Sequence, residues 1–231
     1  MRRKIELIAV LLILIGIIAA AGKLSNYVTS DKVKKEEVQV ILDPGHGGWD
    51  PGKVAVDDTL EKDINLAIAK KVETKLKKNG ITVVMTREDD NGLYSENASN
   101  KKAEDMKKRV EMINDSQPVL VVSIHQNSYS DASVKGAQVF YYSSSKESKK
   151  IAESMQELLC EVDEGNTRQA KADSTYYMLK KTEVPTIIVE CGFLSNAEDV
   201  AKLKDKTYQE DMAETICKGI IESLALLEDE L

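Results

Sequence analysis

The chain is predicted to fold as an α/β domain built on one mostly buried sheet. Three observations carry that prediction. Short apolar runs rich in Val and Ile alternate with segments whose apolar residues recur at helical spacing. Polar or Gly/Pro-rich loops separate the two kinds of segment, and the alternation continues from Val38 to the last helix. With 231 residues, 42% of them apolar, there is material for one core of ordinary domain size and no need for a second.

Taken in order, "VQVIL" from Val38 is a strand that runs into a loop rich in Gly, Pro and Asp, ending near Asp58. Ile64, Ala67, Ile68, Val72 and Leu76 fall at helical intervals between Leu60 and Asn79, and Gly80 stops that helix. "ITVVMT" is the second strand. A long polar loop follows, then a helix marked by Met106, Val110 and Ile113. Val119 to Ile124 and "GAQVFYY" are strands, and Ser148 to Val162 is a helix. After a polar segment the sequence predicts a short strand at "TYYML" and another at "PTIIV" behind Pro185. "LSNAEDVAKL" is a short helix capped by Asn196, and Tyr208 to Leu227 closes the chain as a helix.

Ahead of this domain, Arg2, Arg3 and Lys4 precede an unbroken apolar run from Leu7 to Gly22. The run is slightly shorter than the ~20 residues that span a bilayer, and Ala19 and Ala21 form an A-x-A site for a signal peptidase. Residues 1–22 are therefore expected to be a signal peptide or a membrane anchor, residues 23–37 a polar linker, and 38–231 the catalytic domain. The basic flank is expected to stay in the cytosol and the remainder to be exported across the membrane. An excess of 39 acidic over 32 basic residues argues against a nucleic-acid partner. Cys160, Cys191 and Cys217 are odd in number and lack CxxC spacing. They read as small core or partly exposed thiols, with a single disulfide as the alternative in an exported chain.

The chain contains two histidines, and each closes an apolar strand: His46 in "VQVILDPGHGG" and His125 in "PVLVVSIHQNS". A third strand, "PTIIV", ends in Glu190. Ligands of open α/β sheets collect at the carboxyl ends of strands, so the three side chains are expected to share one crevice. A catalytic metal takes about three protein ligands. Glu61, in the first turn of the helix after the His46 loop, completes a His46, Glu61, His125 set. Glu190 is then the general acid/base that moves the proton of the attacking water. Singly, each residue has a blander explanation: the histidines as hydrogen-bonded loop residues, Glu61 as a helix-start acid, Glu190 as the partner of a lysine. The glycines of "GHGGWDPG" match neither phosphate-binding pattern.

At these residues the sequence resembles the zinc-dependent N-acetylmuramoyl-L-alanine amidases, the Amidase_3 family. The likeness runs through "ILDPGHGGWDPG", "LEKDINLAIA", "VVMTRE", "KKRVEMIN", "VVSIHQNS", "GAQVFYY" and "PTIIVECGFLSNAED" in that order. It implies one Zn2+ ion on His46, Glu61 and His125, Glu190 as the catalytic glutamate, and cleavage of the amide between the muramic acid lactyl group and L-Ala of the stem peptide. It also implies a central mixed, mostly parallel sheet of about six strands with helices on both faces. "GLYSENASNKKAEDMKKRVEMINDSQP" and "TRQAKADSTYYML" are similar to the germination-specific branch of the family in spore formers. That likeness implies action on spore cortex, coupling to a muramic acid deacetylase that forms muramic-δ-lactam, and an accessory spore lipoprotein as partner. The alternatives are a vegetative wall amidase and a non-catalytic wall-binding member. Beyond the four site residues, Asn127 is a candidate for holding the ligand histidine or a substrate carbonyl, and Arg168 for pairing with a stem-peptide carboxylate. Asp43 is a candidate anchor of the "DPGHGG" turn or orienter of His46, and Trp49 lines or packs against the cleft.

Overall fold

The computed structural model describes residues 38–163 and 165–228; the segments expected at 1–22 and 23–37 lie outside them. Six strands form one sheet: β1 (Val40–Pro44), β2 (Val83–Met85), β3 (Leu120–Asn127), β4 (Gln138–Tyr142), β5 (Lys171–Asp173) and β6 (Thr186–Phe193). Their order is β2-β1-β3-β6-β4-β5. Every pairing is parallel except β4 with β6, so the sheet is mixed and mostly parallel. The helices are α1 (Glu61–Lys78), α2 (Lys101–Ser116), α3 (Lys146–Val162), α4 (Tyr177–Lys181), α5 (Ala197–Lys204) and α6 (Lys206–Glu228).

Strand alternation divides the core between two layers. Val40, Leu42, Val122, Ile124, Ile187 and Val189 pack with Ile68, Leu76, Met155, Leu159, Ile216 and Ile220 of α1, α3 and α6. Ile41 and Val121 pack instead with Val110 and Ile113 of α2 and with Met178 of α4. The central strands are covered on both sides, which is why β1 and β6 are buried at every position. Cys160, Cys191 and Cys217 are free thiols, the last two buried. Asn196 caps α5, its side chain accepting from the Asp199 amide. No helix among the described residues is long and apolar enough to cross a membrane.

One element differs in type from the sequence prediction. "TYYML" is not a strand: its latter half is helix α4, and the edge strand β5 lies upstream at Lys171–Asp173. The reason is tertiary. Met178 and Leu179 are adjacent in sequence, yet both are buried, Met178 against Ile41 and Val121 and Leu179 against Phe140 and Ile188. A strand would send them to opposite sides. Asp173 starts the turn by accepting from the amides of Thr175 and Tyr176. β3 and β6 also run on past their apolar runs, so His125 and Glu190 lie within strands and are register partners.

Arg109 lies at the centre of a buried set of ion pairs. Arg109, 1% exposed, donates from Nη1 to Asp43 Oδ1 at 2.7 Å and from Nε to Asp105 at 2.6 Å. Asp43 also accepts from Thr86 and Ser123. Burial opposes the Asp43 charge, but Arg109 and the two hydroxyls outweigh it and lower its pKa from 3.8 to about 2. Removing one partner of such a pair costs about 3–5 kcal/mol. Asp43→Asn is therefore expected to destabilise the protein by that order at neutral pH, measured by urea unfolding. Because the folded pKa is depressed, the carboxylate's contribution is complete above 3.8 and is lost as pH falls toward 2. The gap between wild type and variant should narrow across that window; a gap independent of pH would show that the charge is not what stabilises the site.

Candidate active site

β1 ends in a turn whose backbone is unusual. His46 (φ 61°), Gly47 (φ 137°) and Gly48 (φ 57°) all have positive φ, and for a non-glycine residue that costs about 1–3 kcal/mol and persists only where its surroundings impose it. Here they do. Arg109 donates to the carbonyls of Pro44 (2.9 Å) and His46 (2.7 Å). Arg87 donates to those of Pro44 (2.9 Å), Gly45 (3.0 Å) and, at the start of α1, Lys62 (2.8 Å). Two guanidinium groups thus hold three consecutive carbonyls. Gly45 passes so close to β3 that a Cβ there would overlap the His125 ring, and one at Gly52 would meet Glu61 Oε2 at 2.5 Å and His46 Cδ2 at 2.7 Å.

This packing brings His46, Glu61 and His125 together. One potential ligand atom from each lies within 4.8 Å of the others. Glu61 Oε1 is 2.9 Å from His125 Nδ1 and 3.2 Å from His46 Nε2, and the two rings meet edge to face. Glu61 is 2% exposed and opens α1, whose apolar residues pack with Val122 and Ile124 of β3, on the face opposite to His125 by strand alternation. Its Oε2 accepts from the Lys53 amide at 2.7 Å. Its Oε1 also accepts from the Gln126 amide and from Asn65, which is itself bonded to Gln126. On its far side, His46 Nδ1 meets Asp50 Oδ2 at 2.9 Å, which leaves Nε2 for the cluster.

Charge in the cluster favours a cation. Burial works against a charged His46, but its bonds to Asp50 and Glu61 prevail and push its pKa up to about 9. Burial likewise opposes the Glu61 charge, and the two histidines hold that carboxyl well below the ordinary range. Two imidazole nitrogens and one carboxylate oxygen, converging in a negative field, fit a divalent metal ion.

Glu190 stands beside this set, paired in register with His125. It is 5% exposed, and its Oε2 is buried without a hydrogen-bond partner among the described residues. Oε1 accepts from the Tyr176 hydroxyl at 3.5 Å. Burial first, with the Glu61 charge adding, pushes Glu190 up to about 7 against the pull of the two histidines. The four residues line one cavity of about 520 Å3, with Lys53, Lys102, Asn127, Tyr176 and Tyr177 among its other walls.

The remaining sequence candidates are placed as follows. Asn127 lines the cavity, past a β-bulge that interrupts the regular two-residue alternation after His125, and its Oδ1 accepts from the Ser128 amide. Asp43 lies one layer below the turn and acts on it through Arg109; the carboxylate bonded to His46 is Asp50. Arg168 does not line the cavity. Its guanidinium donates to Lys135 O and Gln138 Oε1 and stacks 4.5 Å from the Phe193 ring centroid. Trp49 is not among the walls of the cavity and is 67% exposed. The sequence reading missed Asp50 and Tyr176. Asp50 carried a signal, an acid four residues beyond the metal-loop histidine; Tyr176 was hidden by the strand assignment.

Comparison with known proteins places this arrangement in a class. The chain belongs to the N-acetylmuramoyl-L-alanine amidase family, whose model matches residues 40–222, and it is a hydrolase of that kind. Within the family it is similar to the germination-specific N-acetylmuramoyl-L-alanine amidase of Bacillus subtilis, with 40% identity over 185 residues, 79% of this chain and 78% of that protein. Among solved structures it is similar to the CwlD amidase of Clostridioides difficile in complex with the GerS lipoprotein. That match has a TM-score of 0.79 and 41% identity, covering 81% of this chain and 98% of that one. An N-acetylmuramoyl-L-alanine amidase from Clostridium difficile 630 matches with a TM-score of 0.74 and 30% identity, over 83% and 98% of the two chains.

Partners that orient a ligand histidine are typically worth ten- to a hundredfold in metal affinity. Asp50→Asn is expected to weaken divalent-ion binding by that factor, read by titration against a competing chelator. An unchanged affinity would mean that Asp50 does not orient His46.

Proposed function

We propose that this protein is a one-zinc amidase that removes stem peptides from muramic acid in the spore cortex. The carrying observation is the unpartnered, buried Oε2 of Glu190 beside the three converging donors His46, Glu61 and His125. An unpaired acid in such a place is costly unless it has work to do.

Zinc, on which the family generally depends, would be held by His46 Nε2, His125 Nδ1 and Glu61 Oε1. When bound it supplies Lewis acidity toward the amide carbonyl and makes water more acidic. Glu190, poised near neutrality, takes the proton of the attacking water and delivers it to the nitrogen of the departing L-Ala. The Tyr176 hydroxyl steadies Oε1 of the same carboxyl group, so that Oε2 is the oxygen left to exchange the proton. Asp50 and the Lys53 amide fix His46 and Glu61, and Asn127 borders the space the scissile amide would occupy. The products are a muramic acid free of peptide and a peptide beginning with L-Ala.

The cortex setting follows from the similarity to the germination-specific amidase and to CwlD. In that setting the freed muramic acid is the substrate of a deacetylase on the way to muramic-δ-lactam. The chain reaches the cortex by export through residues 1–22, either cleaved or kept as a membrane anchor. An accessory lipoprotein fits this reading, because the similar CwlD structure is a complex with the GerS lipoprotein.

Acid/base transfer of this kind is worth about a hundred- to ten-thousandfold in rate. Glu190→Gln should retain its zinc by metal analysis and lose stem-peptide release from cortex by that factor, followed by mass spectrometry of alanine-terminated peptides. Undiminished release by the variant would remove Glu190 from the mechanism. Equal action of the wild type on vegetative wall would remove the cortex assignment.

A further inference from the structure

We propose that Trp49 is the platform of a sugar-binding subsite, one that receives a ring of the glycan strand next to the muramic acid whose peptide is cut. The inference rests on the amidase reading above and adds to it how the polymer is held.

Trp49 is the single tryptophan of the chain, and 67% of its surface is exposed. Exposure alone would mean little, since lone apolar side chains are common on surfaces. Rigidity and position distinguish this one. It sits three residues after His46, in a turn closed by reciprocal hydrogen bonds between Gly47 and Asp50 (3.0 and 3.1 Å). Its own amide donates to the Tyr94 hydroxyl at 2.6 Å, and the preceding carbonyl, Gly48 O, accepts from Lys62 Nζ at 3.0 Å. The backbone beneath the indole is therefore fixed by the same turn that fixes His46, which leaves only the side-chain torsions of Trp49 to be ordered on binding.

The indole borders a hollow of about 410 Å3, whose other walls include Ser99, Asn100, Lys101 and Lys102. Lys102 is also a wall of the catalytic cavity, with Nζ 3.7 Å from Asp50 Oδ2. Hollow and cavity are thus neighbours that share one side chain.

The chemistry of the hollow matches a hexosamine ring. A pyranose has a C–H face that lies on an aromatic plane and a rim of hydroxyl and acetamido groups that seek polar partners. Asn100 Oδ1 caps α2 and Lys101 Nζ lies over the Tyr94 ring, so the indole, the Ser99 hydroxyl, the Asn100 amide nitrogen and the Lys102 ammonium are what the hollow offers, the general pattern of a ligand site with an apolar floor and few polar contacts. The flat apolar indole favours a sugar ring over the peptide as the occupant. The scissile amide hangs from the sugar through one lactyl group, so seating it in the cavity brings the neighbouring rings of the strand onto the adjoining surface.

Because Trp49 is the sole tryptophan, its fluorescence reports on this hollow alone. Full-length Glu190→Gln protein titrated with peptide-free N-acetylglucosamine oligosaccharides should show a saturable change in emission. No change up to millimolar oligosaccharide would overturn the proposal. In the active enzyme, Trp49→Ala should raise KM on polymeric cortex glycan about tenfold, with the loss mainly in KM rather than kcat. It should affect a single-sugar muramoyl peptide several-fold less, and Trp49→Phe should restore most of the difference. Equal losses on both substrates would mean that Trp49 merely shapes the metal turn, and the proposal falls. If the wild type released peptide from neither substrate, the amidase reading would fail, while the fluorescence titration would still decide the sugar site.

Discussion

The site depends on two buried guanidinium groups gripping a strained turn. Arg87 and Arg109 hold the carbonyls of Pro44, Gly45 and His46, so the backbone after β1 cannot relax to an ordinary conformation. The two arginines are partnered differently. Arg109 faces Asp43 and Asp105, whereas every hydrogen bond described for Arg87 ends on a main-chain carbonyl. Taking such charges out of water is expensive, and what the fold gains is an imidazole aimed in a fixed direction. The arrangement also links elements far apart in sequence, since Arg87 follows β2, Arg109 belongs to α2, and Lys62, whose carbonyl Arg87 holds, lies in the first turn of α1.

Each of the four groups at the centre arrives by a different route. His46 comes from a turn, Glu61 from the first residue of a helix, and His125 and Glu190 from neighbouring parallel strands. Parallel pairing matters because it sets both strands' carboxyl ends at the same edge of the sheet, with their register partners side by side. In the antiparallel partner β4, the residue opposite Glu190 is Gln138, whose side chain turns to Gln169 and Arg168 rather than to the cluster of His46, Glu61 and His125. The change of strand direction between β6 and β4 is therefore where the reactive edge stops.

Much of this was legible in the sequence. His46, His125 and Glu190 stood out because each ends a run of apolar residues, and a polar group at that point sits on the rim of the sheet. Glu61 was readable from its place at a helix start just after the metal loop. The arginines were not: before folding, Arg87 after a strand and Arg109 within a charged helix look like ordinary solvated cations, and only burial reveals them. Tyr176 was lost for a related reason. Its aromatic neighbourhood has strand character, and helix α4 forms because Met178 and Leu179 must both reach the sheet. Arg168 was misplaced because a loop arginine has reach enough for many partners, and the nearer ones, Lys135 O, Gln138 and Phe193, took it.

The origin of Glu61 in the far helix layer has a mechanical consequence. An ion held jointly by Glu61 and by His125 of the sheet would join α1 to β3, so the free energy of holding it would also be cohesion between them. Ion affinity should thus be a sensitive gauge of how tightly the helix and the strand are pressed together.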